Sequence, residues 1–140
     1  MKINGLTCTD LFNGKYLSLD RDIISLEIIP IALSIFLWHK LFYKKKIGHC
    51  IDNMAVVSIL NSKTSKSARV MVLLKFIFYW SFVGHLHFKA VHISSVNNAI
   101  ADSLSRGQFQ RFRELASPGE LKPTTMPWEF WSLSRQSYTY

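Results

Sequence analysis

The chain has 140 residues, enough for one domain with one core. Hydrophobic residues make up 49% and aromatic residues 14%, which excludes a disordered chain. A net charge of +8 suits a polyanion, but charge alone does not choose between nucleic acid and an anionic membrane surface.

Residues 1–22 open the chain as a connecting segment, with Asn13-Gly14 as a turn and Leu11-Phe12 and Tyr16-Leu17 placed to flank it as a small hairpin. Met1 to Gly5 lacks the apolar stretch of a secretory signal. Asp22 or Ser25 is suited to cap the helix that follows. That helix is expected from Ser25 to about Tyr43, because Ile28, Ile31, Ile35 and Trp38 recur at helical spacing. Pro30 is tolerable only in a first turn, which sets the start near Leu26 to Ile29. Lys44-Lys45-Lys46 closes it as a solvated loop.

Ile47 to Ile51 reads as a short buried strand, ended by Asp52. Asn53 to Leu60 reads as a short helix with Ala55-Val56 and Ile59-Leu60 inward. A polar loop, Asn61 to Ser67, leads to a second apolar helix over Ala68 to Phe82, ended by Gly84. Leu86 to Ile93 alternates as a strand near a sheet edge, with Leu86, Phe88, Ala90 and His92 on one face. Ser94 to Asn97 is a loop, and Asn98 to Ser105 a helix with Ala101 and Leu104 inward. Beyond Gly107 the prolines leave an irregular tail with a brief helix around Phe109 to Leu115. The apolar runs Ile28–Trp38 and Val70–Val83 both fall short of the roughly 18 to 20 residues of a membrane span, so they are expected as buried core helices. Cys8 and Cys50 are too few for a disulfide framework or a zinc site and read as free thiols of an intracellular protein, cytoplasmic or nuclear.

Several stretches, in this order, resemble retrotransposon ribonuclease H. They are Leu26-Glu27-Ile28-Ile29-Pro30-Ile31, Asp52 to Val57, Asn61 to Lys66, His92-Ile93, Asn98 to Arg106 and Gln108 to Leu115. The likeness is to the C-terminal part of the polyprotein of DIRS-type elements, which encode a tyrosine recombinase, and it covers roughly residues 12 to 131. It implies an α/β fold: the back half of a ribonuclease H-like fold truncated at its N-terminus, running helix, strand, helices, parallel strand, helix. Residues 23–106 would form this domain, 1–22 a remnant of its opening strands and 107–140 a Pro-interrupted tail. The family's first strand, with its Thr-Asp carboxylate, has no counterpart, and Asp10 stands too close to Tyr16 to replace it.

The resemblance also implies chemistry. Glu27, Asp52 and Asp102 correspond to three of the four family carboxylates, which hold Mg²⁺ or Mn²⁺ about 4 Å apart for phosphodiester hydrolysis. His92 corresponds to the loop histidine that shuttles protons or helps product leave. Asn53, Lys63, Lys66, Arg69, Asn98 and Arg106 are the expected contacts to nucleic acid, an RNA–DNA hybrid by resemblance. The chain's ancestral neighbours would be reverse transcriptase and the recombinase, and no membrane partner is expected.

Each residue also has a plainer role: Glu27 as a first-turn carboxylate, Asp52 as a helix cap, Asp102 as a surface acid. The expectation is a retroelement-derived fragment, decayed or domesticated, that binds nucleic acid and is impaired in cleavage. Its rivals are a small basic nucleic-acid-binding module without metal chemistry and a two-span membrane protein. Zinc held by His85, His87 and His92 is disfavoured, because alternation puts His92 opposite His87.

Overall fold

A computed structural model describes Lys2–Ile3, Leu6–Thr7, and residues 23–116, 124–125 and 127–130. Two short strands, β1 (Lys2–Ile3) and β2 (Leu6–Thr7), pair antiparallel as a sheet of their own. The main body follows in chain order. It comprises α1 (Ile23–Trp38), β3 (Lys46–Ile51), α2 (Met54–Ser62), α3 (Ala68–Val83) and β4 (His87–His92). A 3₁₀ turn (Ser95–Asn98), α4 (Ala99–Ser105) and α5 (Phe109–Leu115) complete it. The hairpin expected around Asn13-Gly14, the Asp22 cap and Cys8 lie outside the described residues.

β3 and β4 pair in parallel, with Lys46 opposite His87 and Ile51 opposite His92. The protein is therefore mixed α/β with a parallel pair of strands. One face of the pair is apolar: Ile51 and Ala90 are buried there, Ile47 and Phe88 partly so. The helices supply Ile28, Ile31, Ala32, Ile35, Val56, Val57, Leu60, Val70, Leu73, Leu74 and Ile77 to the same core. The opposite face carries Lys46, Gly48, Cys50, His87, Lys89 and Val91, all exposed. α1 packs along α3, with Phe36 and Trp80 rings 4.8 Å apart. The tail also contributes, since Phe130 is buried against Phe36 and Phe76.

The body is built from two units of one form. Each is a 16-residue helix, a turn containing one residue of positive φ, and a six-residue strand. The positive-φ residues are Lys44 (57°) and His85 (46°). The turns are tied together. Lys44 N donates to Gly84 O at 3.1 Å, and His87 N donates to Lys45 O at 2.9 Å. A Cβ on Gly84 would lie 3.1 Å from His39 O, so the residue is held small by this close approach.

Several local expectations are corrected. α1 begins at Ile23, so Ser25 is a buried helical residue and not a cap, and Pro30 lies in the helix interior. Its missing N–H leaves the Leu26 carbonyl without a helical donor, a cost that the burial of Ile28, Ile31 and Ile35 outweighs. α1 stops at Trp38, short of Tyr43, in a run of turns. In α2 the inward residues are Val56, Val57 and Leu60, with Ala55 exposed. In α4 the inward residue is Ser103, whose hydroxyl donates to Ile100 O at 2.7 Å, while Ala101 and Leu104 face out. A short helix tolerates this because a serine can satisfy itself on its own backbone. No helix among the described residues is long and apolar enough to cross a membrane.

Candidate nucleic-acid interface

The parallel pairing brings Asp52 and His92 to one end. Ile51 is opposite His92, and Asp52 follows Ile51 directly, so both emerge where the strands finish. Both are exposed. Asn53, next in the chain, is the N-cap of α2, its Oδ1 accepting from Ala55 N at 3.0 Å. The capping role open to Asp52 is thus taken by Asn53. α1 enters β3 through the turn at residues 39–45 and packs on α2, so its N-terminal half, with Glu27, runs back towards the same end. Glu27 is half-buried, and its Oε2 is buried without a hydrogen-bond partner.

Asp102 has a different partner. Its Oδ1 accepts from Arg106 Nε at 2.8 Å, one helical turn away on an exposed surface. That pair engages two expected site residues with each other, as an i, i+4 ion pair of small energetic weight. Asn98 sits at the junction of the 3₁₀ turn and α4 with no side-chain capping bond. Among the described residues, no three His, Cys, Asp or Glu side chains form a group that could hold a metal ion. Of the expected metal set, only Glu27 presents an orphaned oxygen that a cation would satisfy. Asp52 is exposed, and Asp102 is engaged by Arg106.

The basic residues are placed more coherently. Between Asp52 and Asp102 the sequence has no acidic residue, while Lys63, Lys66, Arg69, Lys75 and Lys89 fall inside that interval. Lys63 ends α2 in the left-handed conformation, φ 60°, its N–H donating to Ile59 O. Its Nζ sits 5.4 Å from the centre of the Phe78 ring, a cation–π contact that steadies the side chain. Ser67 caps α3, its hydroxyl accepting from Val70 N. Lys66 is exposed beside that helix start, and Arg69 lies in its first turn. The α2–α3 loop and the first turn of α3 thus set Lys63, Lys66 and Arg69 next to the positive end of a 16-residue helix dipole. No protein-family model, curated protein or solved structure matches the chain.

Two features of the structure were invisible in the sequence. His49 faces the core side of β3, its ring 5.2 Å from Phe88 and its Nε2 buried without a partner, and burial lowers its pKa. A lone histidine inside a strand gives no such signal. The second is an exposed basic and aromatic cluster where the two turns meet. There Tyr43 and His85 rings lie 5.6 Å apart, Phe82 and His85 rings 6.2 Å apart, and Lys44 Nζ 5.3 Å from the Tyr43 ring centre. The lysine triplet was its only trace in the sequence, and its aromatic members are some forty positions apart.

Proposed function

We propose that the chain is a ribonuclease H-like fragment, descended from a DIRS-type retroelement polyprotein, that binds nucleic acid through phosphate contacts and does not cleave it. The observation that carries the binding is the acid-free interval from Asn53 to Ala101, with Lys63, Lys66 and Arg69 around a capped helix start. Such contacts position a backbone and read no bases. The ancestry rests on the ordered motifs around Glu27, Asp52, His92 and Asp102, and the shared end of Asp52 and His92 is compatible with it. An RNA–DNA hybrid is the expected ligand. The reading of lost cleavage is supported by the engagement of Asp102 in an ion pair with Arg106.

The test is a titration of an RNA–DNA hybrid oligonucleotide by fluorescence anisotropy at rising salt. Neutralising three phosphates should give a log–log slope of about −2 to −3, and Lys63→Gln with Lys66→Gln should reduce it by about one to two. A slope near zero would refute phosphate binding. Incubation of the same hybrid in Mg²⁺ and in Mn²⁺ should leave the RNA intact. Cleavage abolished by Asp52→Asn would show a working site and overturn that part of the proposal.

A further inference from the structure

The two outer edges of the parallel pair are treated differently. In β4 the N–H and C=O of Ala90 point away from β3, and the Asn61 side chain closes both. Its Nδ2 donates to Ala90 O at 2.9 Å, and its Oδ1 accepts from Ala90 N at 3.1 Å. A primary amide used this way imitates a neighbouring strand. On the β3 side the ladder uses Lys45 O, which accepts from His87 N, and Ile51 O, which accepts from Ile93 N. The backbone groups of Lys46, Gly48 and Cys50 therefore point outward. Among the described residues no strand or side chain takes them.

Among the described residues this edge is bare as well as unpaired. Gly48 has no side chain, Cys50 has a small one, and Lys46, Gly48 and Cys50 are all exposed. No bulge or proline interrupts it, and such an edge templates another strand.

We propose that β3 pairs antiparallel with β3 of a second copy, making a closed two-fold dimer with a continuous four-stranded sheet. Two observations commit the edge to this occupant. First, Asn61 takes the outward N–H and C=O of Ala90 on β4, so of the two edges of this pair β3's is the one left open among the described residues, and pairing of that edge with itself closes at two. Second, the edge is charge-complementary to itself. Lys46 stands at its start and Asp52 just beyond its end. In the register centred on His49, Gly48 of each copy exchanges both backbone hydrogen bonds with Cys50 of the other. Lys46 then lies opposite the partner copy's Asp52 at both ends of the contact. Opposite charges directly across an antiparallel pair are favourable and like charges are not.

The experiment is sedimentation velocity on the full chain over a wide concentration range, with circular dichroism of each variant as the folding control. A reversible monomer–dimer equilibrium is expected. Gly48→Pro removes the outward N–H and adds a Cβ whose nearest neighbour is Val91 Cγ2 at 3.9 Å, so it should spare the monomer and weaken the dimer at least about tenfold. Lys46→Glu should weaken it by about tenfold, and Lys46→Glu with Asp52→Lys should restore it. The charge pair keeps the test decisive should the proline variant unfold. A chain monomeric at every concentration overturns the proposal. So does a dimer indifferent to both perturbations, which would use another face, and so does growth beyond the dimer, which would show a second open edge.

Discussion

Replacing Asn61 by Ala removes the amide that closes β4. Two hydrogen bonds to Ala90 are lost, at 2.9 and 3.1 Å, and Ala90 itself is only 2% exposed. A net value of about 1 kcal/mol per bond gives about 2 kcal/mol, and an unsatisfied buried amide adds roughly 1 kcal/mol if water reaches it poorly. The expected loss is thus about 2–3 kcal/mol, a large share of the roughly 5–15 kcal/mol that holds a domain together. Alanine is the better helix former, so the end of α2 does not account for any loss. Urea titration should show a lower midpoint at unchanged slope, and hydrogen exchange should show the Ala90 amide losing protection. Asn61→Asp is a second arm. It keeps an acceptor for the Ala90 N–H but sets a carboxylate oxygen against the Ala90 carbonyl, so it should be at least as damaging. A change under about 0.5 kcal/mol with Ala90 protection intact would refute the strand-mimic role assigned to Asn61.

His49 gives a pH prediction. Burial lowers its folded pKa below the ordinary 6.5, so the unfolded chain takes up a proton first as pH falls. Its contribution is complete above about 6.5 and declines with acidification until the folded pKa is passed. His49→Leu should flatten the pH dependence of the melting temperature between pH 5 and 7, and an unchanged profile would sink this assignment. Leu74→Ala in the middle of α3, where the side chain is 1% exposed, should cost about 2–5 kcal/mol by denaturant titration. Ser67→Ala removes the α3 cap; because the hydroxyl-to-Val70 N distance is 3.4 Å, a loss near the low end of about 0.5–2 kcal/mol is expected.

What was legible in the sequence follows the range of the forces involved. β3, α3, β4 and α5 lie where periodicity put them to within a residue or two, because their apolar residues act through spacing within one element. The parallel pairing was also anticipated. Pro30 misled because its local penalty was weighed without the burial around it. Ala101 and Leu104 misled because hydrophobicity alone took the inward face of a seven-residue helix, which Ser103 holds. Asn61 was assigned to a polar loop, since nothing in the chain near it reveals a partner 29 positions away. Of the candidate site, the strand-end position of Asp52 could be read from the run Ile47 to Ile51 before it, whereas His92, carried over as a loop histidine, is the last residue of β4. Which acid an arginine would engage depends on side-chain reach, and Arg106 lies one turn from Asp102.

The left-handed residues Lys44 and His85 occupy equivalent places in the two helix–turn–strand units, and the bonds between their turns mean that both strands leave from one knot. A parallel pair has no hairpin to set its alignment. A slip of one residue would turn Ile47, His49 and Ile51 to water. The knot substitutes for the hairpin, fixing where β4 starts against β3. Alignment is then inherited along the strands, and the far end receives its geometry second-hand. An insertion between Trp38 and Lys46 would register there, as a displacement of Asp52 from His92, without touching either residue.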